Sequence, residues 1–113
     1  MFKVTFYETA DGQKPASEFL SGMTKRARDQ ATHELAILAQ RGNQLREPKS
    51  KPLKDGIFEL RIKETSNIHR MLYFFIVGSE IIVTHGFTKK TQKTPDGEID
   101  RAKKYREDYL ARH

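Results

Sequence analysis

The stretch from residue 57 to residue 87 constrains this chain more than any other, because it reads as three strands in quick succession. Ile57-Phe58-Glu59-Leu60-Arg61-Ile62-Lys63 alternates cleanly between apolar and charged residues. Successive side chains on a strand point to opposite faces, so Phe58, Leu60 and Ile62 face one way and Glu59, Arg61 and Lys63 the other. Thr65-Ser66-Asn67 is a loop, and His69 to Val77 is nearly all apolar after Arg70. That pattern belongs to a central strand covered on both sides. Gly78-Ser79 turns the chain, and Glu80 to Phe87 is the last strand.

The remaining elements surround this block. Phe2, Val4 and Phe6 alternate with Lys3, Thr5 and Tyr7, a first strand that ends at Asp11-Gly12. Pro15 opens a short helix with Phe19 and Leu20 as its apolar contacts, and Ser21-Gly22 closes it. Thr24 caps a second helix, Lys25 to Gln40, whose stripe is Ala27, Ala31, Leu35, Leu38 and Ala39. His33 points away from that stripe, and Glu34 falls near its edge, where a carboxylate still reaches water. Gly42 stops the helix. Residues 43 to 56 form a polar connector with Pro48 and Pro52, carrying Arg46, Lys49, Lys51 and Lys54. Thr94-Pro95 caps a final helix with Asp96 and Glu98 at its positive end and Ile99, Ala102 and Tyr109 on its semi-apolar face. The order β-α-α-β-β-β-α predicts an α+β fold: a small antiparallel sheet with helices mostly on one side, in one domain spanning residues 1–113.

Charge narrows the class of partner. The chain carries 21 Lys and Arg against 15 Asp and Glu, a net charge of +6. A basic excess on a small domain favours polyanions. Cysteine is absent, which removes thiolate nucleophiles and Cys-ligated zinc and agrees with a cytoplasmic location. The N-terminal residues have neither the apolar core of a signal peptide nor the length of a membrane span. No P-loop, GxGxxG or GxSxG motif occurs, and the four histidines are too scattered for a metal motif.

The main chemical signal is a set of cations on separate elements. Arg61 sits on the charged face of its strand, Arg70 opens the next, and Lys89 and Lys90 leave the last. If the strands pair in order, these four converge on one sheet surface, with Lys54, Lys63 and Lys93 as flanking contacts to a phosphate backbone. RNA cleavage by its own 2′-hydroxyl builds negative charge on phosphorus. Cations placed around it stabilise that charge without a metal or other cofactor. The competing reading is a solvated charged face. One tyrosine and one histidine are candidates for proton transfer: Tyr73, which mid-strand reads as core, and His85, which reads as a core histidine sharing its face with Ile81, Val83 and Phe87.

These motifs, taken in order, resemble a known family. Glu59-Leu60-Arg61, then Arg70-Met71-Leu72-Tyr73-Phe74, then His85-Gly86-Phe87-Thr88-Lys89-Lys90-Thr91-Gln92-Lys93-Thr94-Pro95, and finally Glu98-Ile99-Asp100-Arg101-Ala102-Lys103 with Asp108-Tyr109, are similar to the phage-derived, HigB-like branch of the RelE/ParE toxins. The resemblance implies a RelE-like fold and a toxin of a type II toxin–antitoxin system that cuts mRNA on the ribosome by metal-independent 2′-hydroxyl attack. It also implies a cognate antitoxin, often of helix-turn-helix type, as the partner. Arg61 and Arg70 match the basic strand positions of such toxins, and Lys89-Lys90 the basic residue after their last strand. Glu59 stands where RelE itself has a lysine, which leaves the general base unassigned. A gyrase poison of ParE type on the same fold and a non-catalytic nucleic-acid-binding module are the alternatives.

Overall fold

The computed structural model describes residues 1–89 and 93–113. Along the chain it forms β1 (Lys3–Phe6), α1 (Pro15–Ser21), α2 (Lys25–Arg41), β2 (Ser50–Pro52), β3 (Phe58–Glu64), β4 (Asn67–Ile76), β5 (Glu80–Lys89) and α3 (Asp96–Arg112). A five-stranded sheet runs in the order β1, β5, β4, β3, β2. The consecutive antiparallel pairing of β3, β4 and β5 is as the turn signals predict, and the apolar β4 is the central strand. This is the α+β class expected, with two amendments. The sheet is mixed rather than purely antiparallel, because β1 lies parallel to β5. The connector also contains β2, paired antiparallel to β3 at the sheet edge. Pro52 lacks an N–H to donate to a ladder, so this segment is suited to an edge.

The helices divide between the two faces. On one, Leu60, Ile62, Met71, Tyr73, Ile81 and Val83 pack against Ala16 of α1 and Ala31 and Leu38 of α2. On the other, Leu72, Phe74 and Ile82 pack against Ile99 and Ala102 of α3, with Tyr7 and Ile57 closing the edges. A strand apolar on both sides must be covered on both sides, so α3 takes the face opposite α1 and α2.

Local chemistry explains the helix positions. The Thr24 side chain accepts a hydrogen bond from the Ala27 N–H at 3.2 Å, which sets the start of α2. Phe19 of α1 lies against Gly86 so closely that a Cβ on residue 86 would overlap the ring. Thr94 does not cap α3 as the sequence suggests. Pro95 occupies the cap position without a side-chain bond, and the Thr94 hydroxyl goes to Glu59 instead. Polar contacts hold α3 further along: Lys103 Nζ lies 2.7 Å from Asp55, and Asp108 accepts from the Tyr7 hydroxyl at 2.5 Å while pairing with Arg112 of its own helix at 2.6 Å.

A bulge in β5 reverses the facing of half the strand. Leu72 pairs with His85, but Tyr73 pairs with Val83, leaving Thr84 as the extra residue. Its hydroxyl donates to the Leu72 carbonyl at 3.1 Å. His85 therefore faces α3 together with Phe87, and not the face of Ile81 and Val83 that simple alternation predicts.

Candidate nucleic-acid interface

Strand pairing sets Arg61 directly opposite Arg70, with Phe87 next in the same row across β5. Two cations facing one another on one sheet face repel unless an anion joins them. Glu59 is that anion. Arg61 Nε donates to Glu59 Oε2 at 2.6 Å, and Arg70 Nε lies 3.3 Å from Glu59 Oε1. The Thr94 hydroxyl donates to the same carboxylate. Glu59 and Arg70 have no exposed side-chain surface, whereas Arg61 keeps 17%. The face expected to be open and charged thus holds a buried Arg-Glu-Arg cluster from which only Arg61 reaches solvent. Each buried ion carries a desolvation penalty of several kcal/mol, so the pairing is a requirement of folding rather than an ornament.

The lysines form the rim. Lys63 and Lys89 flank Ile68 in the next row of the same face, and both are exposed. Lys90 lies outside the described residues. Lys54 and Lys93 come together with Lys51 in a separate cleft at the start of α3, where Lys54 Nζ lies 3.2 Å from Asp96. Lys51 is the register partner of Glu59, so this second cleft adjoins the cluster from the other side. The structure therefore brings Arg61, Arg70, Lys63 and Lys89 to one end of the α3 face, and Lys54 and Lys93 to its flank.

Tyr73 and His85 are elsewhere. Tyr73 is on the α1/α2 face, 1% exposed, with its hydroxyl 2.6 Å from Ser50 Oγ, and burial raises its pKa above the ordinary value. His85 is 1% exposed beneath α3, with Nε2 3.0 Å from Glu98 Oε1. Burial lowers its pKa below 6.5, an effect the Glu98 hydrogen bond only partly opposes. His69 faces the opposite side of the sheet, its Nδ1 2.8 Å from Thr88 Oγ1, so the two histidines cannot work as an acid–base pair. Among the described residues no three His, Cys, Asp or Glu side chains gather as a metal site would need, and no helix is long and apolar enough to cross a membrane.

Sequence reasoning missed one further pair. Glu34 of α2 is 5% exposed, not at a watered edge. Lys49 Nζ contacts both its oxygens, at 2.9 and 3.0 Å, and Gln30 donates to it at 3.0 Å. Its position was readable: Ala27, Ala31, Glu34 and Leu38, the buried residues of α2, follow three- and four-residue spacing, so Glu34 belongs to the stripe itself. The Lys49 carbonyl also accepts the Arg61 N–H at 2.8 Å, which ties the connector to β3.

The chain was compared with known proteins. No curated protein matches it. The family model described as "Phage derived protein Gp49-like (DUF891)" matches residues 18–107, from α1 through most of α3. That span contains the Glu59, Arg61 and Arg70 cluster and its lysine rim, and the chain accordingly belongs to the phage-derived Gp49-like family, a family of RelE-like toxins of toxin–antitoxin systems.

Proposed function

We propose that this toxin is an endoribonuclease of the HigB-like kind that cuts mRNA on the ribosome. The observation that carries the reading is the row of Arg61 and Arg70 across β3 and β4, continued by exposed Lys63 and Lys89. In the reaction the 2′-hydroxyl loses its proton as its oxygen bonds to phosphorus, the bond from phosphorus to the 5′-oxygen breaks, and that oxygen takes up a proton, leaving a cyclic phosphate and a 5′-hydroxyl. Arg61 and Lys89, with Lys90 beyond the described residues, stabilise the charge that grows on the phosphoryl oxygens. Arg70, being fully buried, is a positioning residue: it shares Glu59 with Arg61 and so fixes the guanidinium that faces solvent. Lys54, Lys63 and Lys93 track the backbone on either side. The burial of Tyr73 and His85 supports a structural role for both. The partners in this reading are the ribosome with its mRNA and a cognate antitoxin of helix-turn-helix type that blocks the basic face.

In vitro translation of a defined mRNA followed by primer extension tests the proposal. Wild-type protein should create new 5′ ends only when ribosomes are present, and Arg61→Ala should slow their appearance by about a hundredfold. Intact mRNA with continuing translation would overturn the ribonuclease, and failure of gyrase supercoiling in a parallel assay would then assign the fold to a gyrase poison.

A further inference from the structure

Beside the arginine cluster, a cleft opens between α2, the connector and the ends of β3 and β4. It is lined by Glu34, Pro48, Lys49, Arg61, Lys63 and Ile68. Its charges are unequal in kind. Lys63 is an exposed cation on the strand, whereas the Lys49 ammonium is fixed by both oxygens of the buried Glu34 carboxylate and remains 43% exposed. Arg61 is fixed likewise by Glu59. Four cations, Lys49, Arg61, Lys63 and Arg70, share this neighbourhood with two carboxylates, Glu34 and Glu59, an excess of two positive charges. Pro48 and Ile68 add apolar surface to the same walls.

We propose that this cleft binds the phosphodiester of the RNA chain adjoining the scissile one, with Lys49 as its oriented donor, Arg61 shared between the two phosphates, and Pro48 and Ile68 against the sugar or base. Glu34 is a positioning residue: it holds Lys49 in place and does not touch the ligand. An ion-paired donor gives up less rotational freedom on binding than a free lysine, so its contact with phosphate costs less entropy. The inference rests on the ribonuclease reading for the choice of RNA as the polyanion, but binding can be measured without cleavage.

The test is fluorescence anisotropy of a short, uncleavable 2′-O-methyl RNA, with folding of each variant checked by circular dichroism. Lys49→Met should weaken binding about tenfold and flatten the salt dependence by about 0.7 in log–log slope, the share of one phosphate contact on a single strand. Lys104→Met, which removes the same charge from the exposed side of α3, should change little, and Lys49→Arg should restore most of the loss. Glu34→Gln separates a built site from a diffuse field. It makes the protein more positive, so a diffuse field predicts tighter binding, whereas loss of the Lys49 anchor predicts binding weaker by about fivefold. Equal effects of Lys49→Met and Lys104→Met, or tighter binding by Glu34→Gln, would overturn the proposal. RNA binding with these dependences but no ribosome-dependent cleavage would keep the cleft and remove the ribonuclease. Cleavage by a protein whose RNA binding ignores Lys49 would do the reverse.

Discussion

The two faces of the sheet are built from the same three long strands by different means. The face under α1 and α2 is mainly apolar where it is buried, with polar groups only at its margins: Leu60, Ile62, Met71, Ile81 and Val83 meet alanines and Leu38. The face under α3 is apolar only over part of its area, and toward the end of β3 and β4 it changes to the buried Glu59 and Arg70 with partly exposed Arg61. Apolar packing tolerates change in proportion to volume lost. An ion cluster does not, because removing one member leaves the others charged and dry. The difference shows where stability has been exchanged for a fixed arrangement of cations.

The sharpest way to break that comparison uses neighbours on one strand. Glu59→Ala should destabilise by about 3–5 kcal/mol in denaturant unfolding, since it strands Arg70 without its carboxylate. Leu60→Ala on the other face should cost about 2–5 kcal/mol through the cavity it leaves. Similar losses would then part under a second change. Replacing Glu59, Arg61 and Arg70 together by apolar residues of like volume should recover stability while abolishing activity, whereas Leu60→Ala is repaired only by a neighbour that refills the lost volume. A triple variant as unstable as Glu59→Ala would show that the cluster contributes to folding beyond its own pairing.

A smaller effect comes from the hydrogen bond between Tyr73 and Ser50, buried at both ends on the α1/α2 side. Tyr73→Phe leaves Ser50 Oγ buried without its 2.6 Å partner and should cost about 1–3 kcal/mol. RNA cleavage should persist, because Tyr73 faces away from the cluster. Loss of cleavage in a folded Tyr73→Phe protein would overturn its assignment to the core.

The smallest effect is one of pH. His85 titrates below its ordinary value of 6.5 because burial disfavours the imidazolium. Its neutral form therefore contributes stability that is fully present above that value and is lost as pH falls through the lowered folded pKa. Thermal melts from neutral pH downward should show this decline in the wild type and a shallower one in His85→Gln. Equal slopes would mean that Glu98 keeps His85 charged in the folded state.

Much of the architecture was legible because long strands and helices carry periodic signals. Alternation in β3 and the apolar run of β4 gave their positions and pairing, and Thr24 marked the start of α2. The failures share a cause: each depends on a partner distant in sequence. Thr94 reads as a cap until Glu59 is brought beneath it. Glu34 reads as a marginal surface residue until Lys49 meets it. The facing of His85 follows from an extra residue in β5, and alternation contains no sign of a bulge. The cations were legible as a set, because strand order brings Arg61 and Arg70 together, but the burial of Arg70 was not. That depends on its contact with Glu59 and on the approach of Thr94, which is distant in sequence.

The parallel pairing of β1 with β5 sets an order of assembly. Residues 3–6 are made well before residues 80–83, with which they pair. The hairpins of β3, β4 and β5 close short loops and can form early, whereas β1 must wait for a strand from the far part of the chain. A chain interrupted before β5 leaves β1 without the strand it pairs with, so that edge of the sheet is complete only once β5 is present.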